Sequence, residues 1–151
     1  MKYAVVTGAS SGMGLEFARQ LAERKYGIVI VSNQPEENWR VAEMLRRQNH
    51  VDVRVIDMDL TLPKAAEDIY QQVTSWELEV EVLVSNAGML LFSTLERTSL
   101  ERLDGIIALH CTTPVKLIRL FGEDMLKRRK GYVLITSVSY THLRAHETLS
   151  D

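Results

Sequence analysis

Three glycines stand close together between a short apolar run and a helical pattern, with the spacing G-x-x-x-G-x-G. They are Gly8, Gly12 and Gly14. Residues 3–6 before them are mostly apolar, and apolar residues recur at helical spacing after them. Backbone N–H groups at a helix N-terminus attract anions, and glycine lets the chain approach a phosphate closely. The spacing lacks the Gly-Lys-Ser/Thr ending of a P-loop. The turn therefore predicts a pyrophosphate site, with a purely structural turn as the alternative.

Short apolar runs alternate with helical patterns along the whole chain. The runs cover residues 3–6, 27–31, 51–56, 80–84 and 132–135. One helical pattern begins near Pro35, and another opens at Thr98, which can form a capping box with Glu101. The alternation is typical of repeated βαβ units, so we predict an α/β fold with a doubly wound parallel sheet. A length of 151 residues suits one domain with a substantial core.

Composition excludes several classes of function. The formal net charge is −2, which offers no electrostatic footprint for nucleic acid. The one basic run, residues 127–130, falls where a long helix should end and would complement its dipole. A single cysteine, Cys111, rules out an internal disulfide and suits a reducing compartment. No signal peptide or apolar run of membrane-spanning length is present, so we expect a cytoplasmic protein without a membrane span.

Three motifs in a fixed order resemble the short-chain dehydrogenase/reductase family over about residues 2–138. The turn matches the family's T-G-x-x-x-G-x-G fingerprint, Asp59 follows the third strand, and an Asn-Ala-Gly box follows the fourth. The resemblance implies a Rossmann-type sheet in the order 3-2-1-4-5 that binds NAD(H) or NADP(H). It also implies hydride transfer between nicotinamide and a carbonyl or hydroxyl substrate, in a complete protein that we expect to be a homo-oligomer. We expect no metal site. The implied cofactor-binding residues are Thr7, Gly8, Ser10, Ser11, Gly12, Met13, Gly14, Ser32, Asn33, Asp59, Leu60, Asn86, Ala87 and Gly88.

The resemblance gives Asp59 and the Asn-Ala-Gly box separate roles. In the family the aspartate accepts a hydrogen bond from the adenine amino group, and the box lets the backbone run beside the cofactor ribose. Asp59 has a simpler alternative, which is to end a strand and cap the next turn. Ser85 stands where many members carry a second asparagine.

The choice between NAD(H) and NADP(H) should lie just after the second strand. The residues there are Ser32, Asn33 and Gln34, neither acidic nor basic. Glu36 and Glu37 come slightly later and suit the positive end of a helix. Without an acid to repel the 2′-phosphate, NADP(H) is weakly favoured.

Two catalytic positions follow from the resemblance. Ser137, after the fifth strand, matches the serine that polarises the substrate oxygen; Ser139 and an inert strand-end serine are the alternatives. His110 occupies the place of an asparagine whose main-chain carbonyl serves a water relay. Pro114 lacks an N–H, which leaves that carbonyl without its helical partner and predicts a kink. The alternative for the His110 imidazole is quiet packing in the helix.

The family's Tyr-x-x-x-Lys pair does not occur in the sequence. Tyr140 and Arg144 imitate its spacing, but Tyr140 lies only three residues after Ser137, where the family has about a dozen. Residues 138–151 resemble an adaptor-derived tail. We therefore expect one NAD(P)-binding domain over residues 1–137, a disordered tail, and a truncated chain without measurable turnover. The rival function is a catalytically inactive module that senses NAD(P) and binds a partner. An apolar stretch, residues 89–92, is consistent with a lipid-like substrate, and core packing explains it equally well.

Overall fold

The computed structural model describes residues 1–89 and 93–136. The predicted tail, Ser137 and residues 90–92 lie outside the described residues. The strands are β1 (Lys2–Thr7), β2 (Gly27–Ser32), β3 (Val53–Asp57), β4 (Glu79–Ser85) and β5 (Tyr132–Ile135). The helices are α1 (Gly12–Glu23), α2 (Pro35–Asn49), α3 (Ala65–Ser75), α4 (Leu100–Ile107) and α5 (Thr113–Arg128). A 3₁₀ turn covers Leu95–Arg97, and a π-helical segment, Ala108–Thr112, joins α4 to α5.

The five strands form one parallel sheet in the order β3-β2-β1-β4-β5. Val5 in the central strand pairs with Val29 of β2 on one side and with Leu83 of β4 on the other. The predicted fold class and strand order are therefore confirmed. The chain winds outward in one direction from β1 to β3 and in the other from β4 to β5. Between β1 and β4 this reversal opens a crevice at the carboxyl ends of the strands, where α/β folds bind ligands.

Both faces of the sheet are buried, because side chains of the inner strands alternate between two apolar layers. One layer packs Ala4, Val6 and Ile30 against α1 and α2. The other packs Val5, Val31 and Leu83 against residues of α3 and α5. Within the described ranges, no helix has the length and apolar character needed to cross a bilayer.

Two helix ends refine the expectations from sequence. Ser99, not Thr98, caps α4, since its hydroxyl accepts the backbone N–H of Arg102 at 3.1 Å. Thr98 ends the 3₁₀ turn before α4 and donates its hydroxyl to the carbonyl of Thr94 at 2.8 Å. The predicted capping box of Thr98 and Glu101 is therefore wrong, and the N-cap lies one residue later. At the end of α5, Lys127 and Arg128 lie in the last turn, as the basic run predicted.

Strand β5 forms an exposed edge, as predicted. All four of its residues are exposed, and Ile135 retains 65% of its accessible surface. Among the described residues, β5 pairs only with β4.

A buried carboxylate lies on β4, in the interior of the sheet. Glu81 is only 5% exposed and accepts a hydrogen bond from the Tyr26 hydroxyl at 2.5 Å. The Lys130 ammonium lies 3.4 Å from the same carboxylate. The hydrogen bond from Tyr26 lowers the pKa of Glu81, and the bond to Glu81 raises the pKa of Tyr26 to about 12. Both pKa shifts mean that the folded protein favours a charged Glu81 carboxylate and a neutral Tyr26 phenol.

Tyr26→Phe should destabilise the fold in a pH-dependent way. Near pH 7 we expect a loss of about 1–3 kcal/mol, because the buried carboxylate loses a donor. The pKa of Glu81 is lower in the folded protein than its ordinary value of 4.5. The stability that this carboxylate contributes is therefore complete above pH 4.5 and disappears as the pH falls through the folded pKa. Denaturant unfolding from about pH 3 to pH 8 measures the difference.

Tyr132→Phe is the matched control, because Tyr132 is 55% exposed. We expect it to change the free energy of unfolding by less than about 0.5 kcal/mol. An effect of Tyr26→Phe that is the same at every pH would contradict the assignment.

Candidate functional site

The glycine turn requires a backbone conformation that other residues seldom adopt. Gly8 has φ +68° and Gly12 has φ +58°, both in the left-handed region that favours glycine. The Gly8 N–H donates to the carbonyl of Val31 at 2.8 Å, which holds the turn against the end of β2. The turn therefore spans the carboxyl ends of two neighbouring strands.

Gly14 is needed for a reason that the sequence did not indicate. A Cβ at this position would lie 2.1 Å from the Gly8 carbonyl oxygen and 2.5 Å from Nδ2 of Asn86. The absence of a side chain therefore lets the first turn of α1 pack directly on the glycine turn and on the segment after β4. Close packing inside the protein, rather than approach of a ligand alone, accounts for this glycine.

The N-terminus of α1 is prepared for an anion. Ser11 is the N-cap residue, yet its side chain makes no capping hydrogen bond, and the first turn carries no acidic residue. The first N–H groups of a helix have no intrahelical partner and carry partial positive charge. Ser11 and Met13 are exposed here and Ser10 is partly exposed. A phosphate could therefore bind at this helix end, which fits the predicted pyrophosphate site.

One buried hydroxyl joins the glycine turn to the Asn-Ala-Gly box. Oγ1 of Thr7 accepts the backbone N–H groups of Asn86 at 2.9 Å and Ala87 at 3.1 Å, and it donates to the carbonyl of Val84 at 3.4 Å. Thr7 itself is 1% exposed. The predicted residues of β1 and of the segment after β4 thus lie together.

Asn86 extends this connection to β5. Its Nδ2 donates to the carbonyl of Gly8 at 3.5 Å, and its Oδ1 accepts the Thr136 hydroxyl at 2.9 Å. The Thr136 N–H also donates to the Ser85 carbonyl at 3.1 Å. Nothing in the sequence indicated that Thr136, the residue before Ser137, belongs to this network of hydrogen bonds.

Asp59 makes the local turn that was its simpler alternative. Its Oδ1 accepts both the backbone N–H and the hydroxyl of Thr61, at 3.0 and 2.7 Å. Asp59 is nevertheless exposed at the end of β3, while Leu60 is buried and its carbonyl accepts the Thr113 hydroxyl at 2.8 Å. The adenine contact of Asp59 stays a prediction.

Ser32 and Asn33 differ sharply in exposure. Ser32 is buried; its Oγ donates to Oδ1 of Asn38 at 2.7 Å and accepts the Gln34 N–H at 3.1 Å. Asn33 is exposed. The sequence did not identify Asn38 as a residue of this site. Its position on the same helix face as the buried apolar residues Val41, Ala42 and Leu45 could have indicated that it is buried.

His110 lies in the π-helical segment and reaches across to the Asn-Ala-Gly box. Its Nε2 is 2.9 Å from the Met89 carbonyl oxygen and 3.2 Å from the Met89 nitrogen. A Cβ on Gly88 would lie 3.0 Å from Cε1 of His110. The imidazole therefore supports the backbone after Gly88 rather than packing quietly within its own helix. The π-helical segment ends at Thr112, two residues before Pro114. The kink at this point and the relay role of the His110 carbonyl stay predictions.

Comparison with known proteins agrees with this geometry. The family model for short chain dehydrogenase matches residues 2–148. The chain is 30% identical over 135 residues to very-long-chain 3-oxoacyl-CoA reductase of Ajellomyces capsulatus, covering 87% of the chain and 40% of that protein. It is 32% identical over 143 residues to 17-beta-hydroxysteroid dehydrogenase type 3 of Danio rerio, covering 90% and 45%. The chain thus spans less than half the length of these relatives.

Solved structures share the same architecture. The bulky-bulky ketone specific alcohol dehydrogenase from Comamonas testosteroni superposes with a TM-score of 0.82 at 26% identity, over 89% of this chain and 54% of that one. The alcohol dehydrogenase from Thermococcus sibiricus, complexed with 5-hydroxy-NADP, gives a TM-score of 0.78 at 27% identity, over 89% and 57%.

Gly14→Ala should destabilise the protein even when no nucleotide is present. The added methyl group must displace the Gly8 carbonyl or the Asn86 side chain, for which we expect a cost of about 1–3 kcal/mol. Thermal and denaturant unfolding of the ligand-free protein measures it. Gly122→Ala in α5 is the matched control, since a Cβ there meets nothing within 4 Å; it should stabilise the helix by up to about 1 kcal/mol. Unchanged stability of Gly14→Ala would show that the glycine serves only a ligand.

Proposed function

The chain belongs to the short-chain dehydrogenase family, and from this premise we propose that it binds a nicotinamide dinucleotide in the crevice between β1 and β4. We further propose that it forms the cofactor-binding part of an NAD(P)-dependent oxidoreductase. The observation that carries the proposal is the Thr7 hydroxyl, which holds the glycine turn and the Asn-Ala-Gly box side by side at that crevice.

The residues present fit such a cofactor along its length. The glycine turn and the uncapped N-terminus of α1 would hold the pyrophosphate. Asp59 and Leu60 would face the adenine, and the backbone of residues 86–88 would lie beside the ribose next to nicotinamide. When bound, the nicotinamide ring supplies or accepts the hydride. The protein's contribution is to position that ring and to exclude other reactions.

We propose one catalytic role for Ser137 and one for His110. Ser137 would polarise the substrate oxygen; it follows Thr136, whose hydroxyl binds Asn86. His110 would position the backbone at Met89 through its Nε2, and its own carbonyl would serve the water relay. The acid–base tyrosine and its lysine would have to come from beyond these residues, because neither Tyr140 nor Arg144 has the family spacing.

We propose a weak preference for NADP(H). No acid follows β2 at Ser32 or Asn33 to repel a 2′-phosphate. These two positions also lack a cation that would bind the 2′-phosphate, so the preference for NADP(H) over NAD(H) should be small.

The proposed substrate is a lipid-like carbonyl or alcohol. Relatives at 30–32% identity are named for very-long-chain 3-oxoacyl-CoA and 17-beta-hydroxysteroid chemistry. The apolar stretch at residues 89–92 follows the Asn-Ala-Gly box, and Met89 is 37% exposed. A large apolar substrate would bury such side chains favourably.

Ser11→Asp should weaken binding of both NADH and NADPH without destabilising the fold. A carboxylate at the N-cap would accept the free N–H groups of α1 and stabilise the helix, while it repels the pyrophosphate. We expect dissociation constants at least about tenfold higher, which corresponds to about 1.4 kcal/mol. Cofactor fluorescence titration, together with thermal unfolding, measures both effects.

Ser99→Asp is the matched control, because Ser99 caps α4, whose N-terminus carries none of the proposed cofactor contacts. It should leave both dissociation constants unchanged. Unchanged binding in Ser11→Asp would show that the pyrophosphate does not bind at α1.

The oxidoreductase proposal is tested by restoring a Tyr-x-x-x-Lys segment. We expect this chain to show no measurable turnover, since loss of general acid–base catalysis alone costs about 10²–10⁴-fold. A chimera that joins residues 1–137 to the remaining part of the Danio rerio relative should oxidise NADPH with steroid or acyl ketones. Ser137→Ala in the chimera should remove most of that activity. A chimera that binds NADPH but turns over none of these ketones would favour the rival sensor function.

A further inference from the structure

A buried amide connects the ends of β2 and β3. Asn38 is 0% exposed, and its Nδ2 donates both to the Ser32 carbonyl at 3.1 Å and to Oδ1 of Asp57 at 2.8 Å. Its Oδ1 accepts the Ser32 hydroxyl at 2.7 Å. Three of the four hydrogen-bonding positions of this amide are therefore used, which fixes its orientation.

Asp57 lies beside the position that normally distinguishes the two cofactors. It is the register partner of Ser32, and Asn38 of α2 contacts both residues, so both side chains point to the α2 face of the sheet. Neighbouring strands are about 4.8 Å apart. An acid at the end of β2 hydrogen-bonds the ribose 2′-OH in related folds. Here the acid stands one strand away, on β3, and is exposed.

The surrounding charges do not cancel this carboxylate. Glu36 and Glu37 lie in the first turn of α2. Arg40, the first cation along α2, is held 3.3 Å from Glu37, and its side chain is 71% exposed. The ends of β3 and α2 therefore carry more acids than cations, although Ser32 and Asn33 are neutral.

We propose that Asp57, oriented by Asn38, is a specificity-determining residue of the cofactor site. Its carboxylate repels the 2′-phosphate of NADP(H) and offers an acceptor to the 2′-OH of NAD(H). Asn38 is a positioning residue, because it holds one carboxylate oxygen toward α2 and leaves the other toward solvent. The choice between NADP(H) and NAD(H) thus depends on the acid at the end of β3. Its repulsion of the 2′-phosphate opposes the weak preference for NADP(H) that results from the missing acid after β2. The inference rests on the proposed cofactor site.

Asp57→Asn removes the charge and keeps an oxygen for the Asn38 amide, so the fold should be unaffected. At low salt we expect NADPH to bind about tenfold more tightly, from the loss of repulsion between charges a few ångströms apart. NADH should bind with an unchanged or slightly weaker dissociation constant. The gain for NADPH should shrink in 1 M KCl, where the screening length is about 3 Å. Glu23→Gln, at the far end of α1, is the control for a change in net charge and should leave the NADPH to NADH ratio unchanged.

The role of Asn38 is tested by a double-mutant cycle. Asn38→Leu releases the carboxylate, so the gain from Asp57→Asn should be smaller in that background than in the wild-type chain. A purely structural role would change unfolding and both dissociation constants alike, without changing their ratio.

Three results would overturn the proposal. One is an NADPH to NADH ratio that is unchanged in Asp57→Asn, and another is a gain that persists at high salt. The third is equal effects of Asp57→Asn with and without Asn38. If the wild-type chain binds neither dinucleotide, the proposed function itself fails, and this inference fails with it.

Discussion

The hydroxyl of Thr7 accepts two backbone N–H groups from the segment after β4, and the rest of the site depends on this shared acceptor. Parallel strands are joined only by their ladder, which ends where the crevice opens between β1 and β4. Beyond that point the backbone N–H groups of Asn86 and Ala87 need a hydrogen-bond acceptor from water or from a side chain. A buried hydroxyl supplies both bonds at once. It thereby keeps the glycine turn, which begins at the next residue, against the Asn-Ala-Gly box.

Close contact between these two segments determines which residues can stand in them. A Cβ on Gly8 would lie 3.0 Å from Cα of Ala87, and one on Gly14 would overlap the Gly8 carbonyl. The glycines therefore serve the protein's own packing as well as any phosphate. Asn86 adds a hydrogen bond to Gly8 on one side and accepts one from Thr136 on the other, so hydrogen bonds connect the ends of β1, β4 and β5. Such a preorganised site needs little rearrangement when a ligand binds.

Local patterns predicted much of this arrangement. Buried parallel strands are apolar on both faces, which predicts the parallel sheet. The three motifs follow the first, third and fourth strands, and their resemblance to the family implies the sheet order and the location of the crevice. Features that depend on tertiary contact could not. Ser99 rather than Thr98 caps α4 because a 3₁₀ turn already uses Thr98. The reach of His110 to Met89 depends on how α4 and α5 lie beside the crevice. Asn38 interrupts an apolar helix face, but only the structure shows that Asp57 is its partner.

These contacts give the crevice two electrostatically different ends. At β1 the uncapped N-terminus of α1 presents partial positive charge from backbone groups, without a lysine or arginine in its first turn. The exposed carboxylates of Asp57 and Asp59 lie at the carboxyl end of β3 and two residues after it. A dinucleotide carries its charge on the pyrophosphate and hydrogen-bonding groups on adenine and ribose. In the proposed complex the pyrophosphate would lie at the N-terminus of α1, and the hydroxyl groups of one ribose would lie toward the ends of β2 and β3. Both charge environments result from the positions of a helix N-terminus and two strand ends.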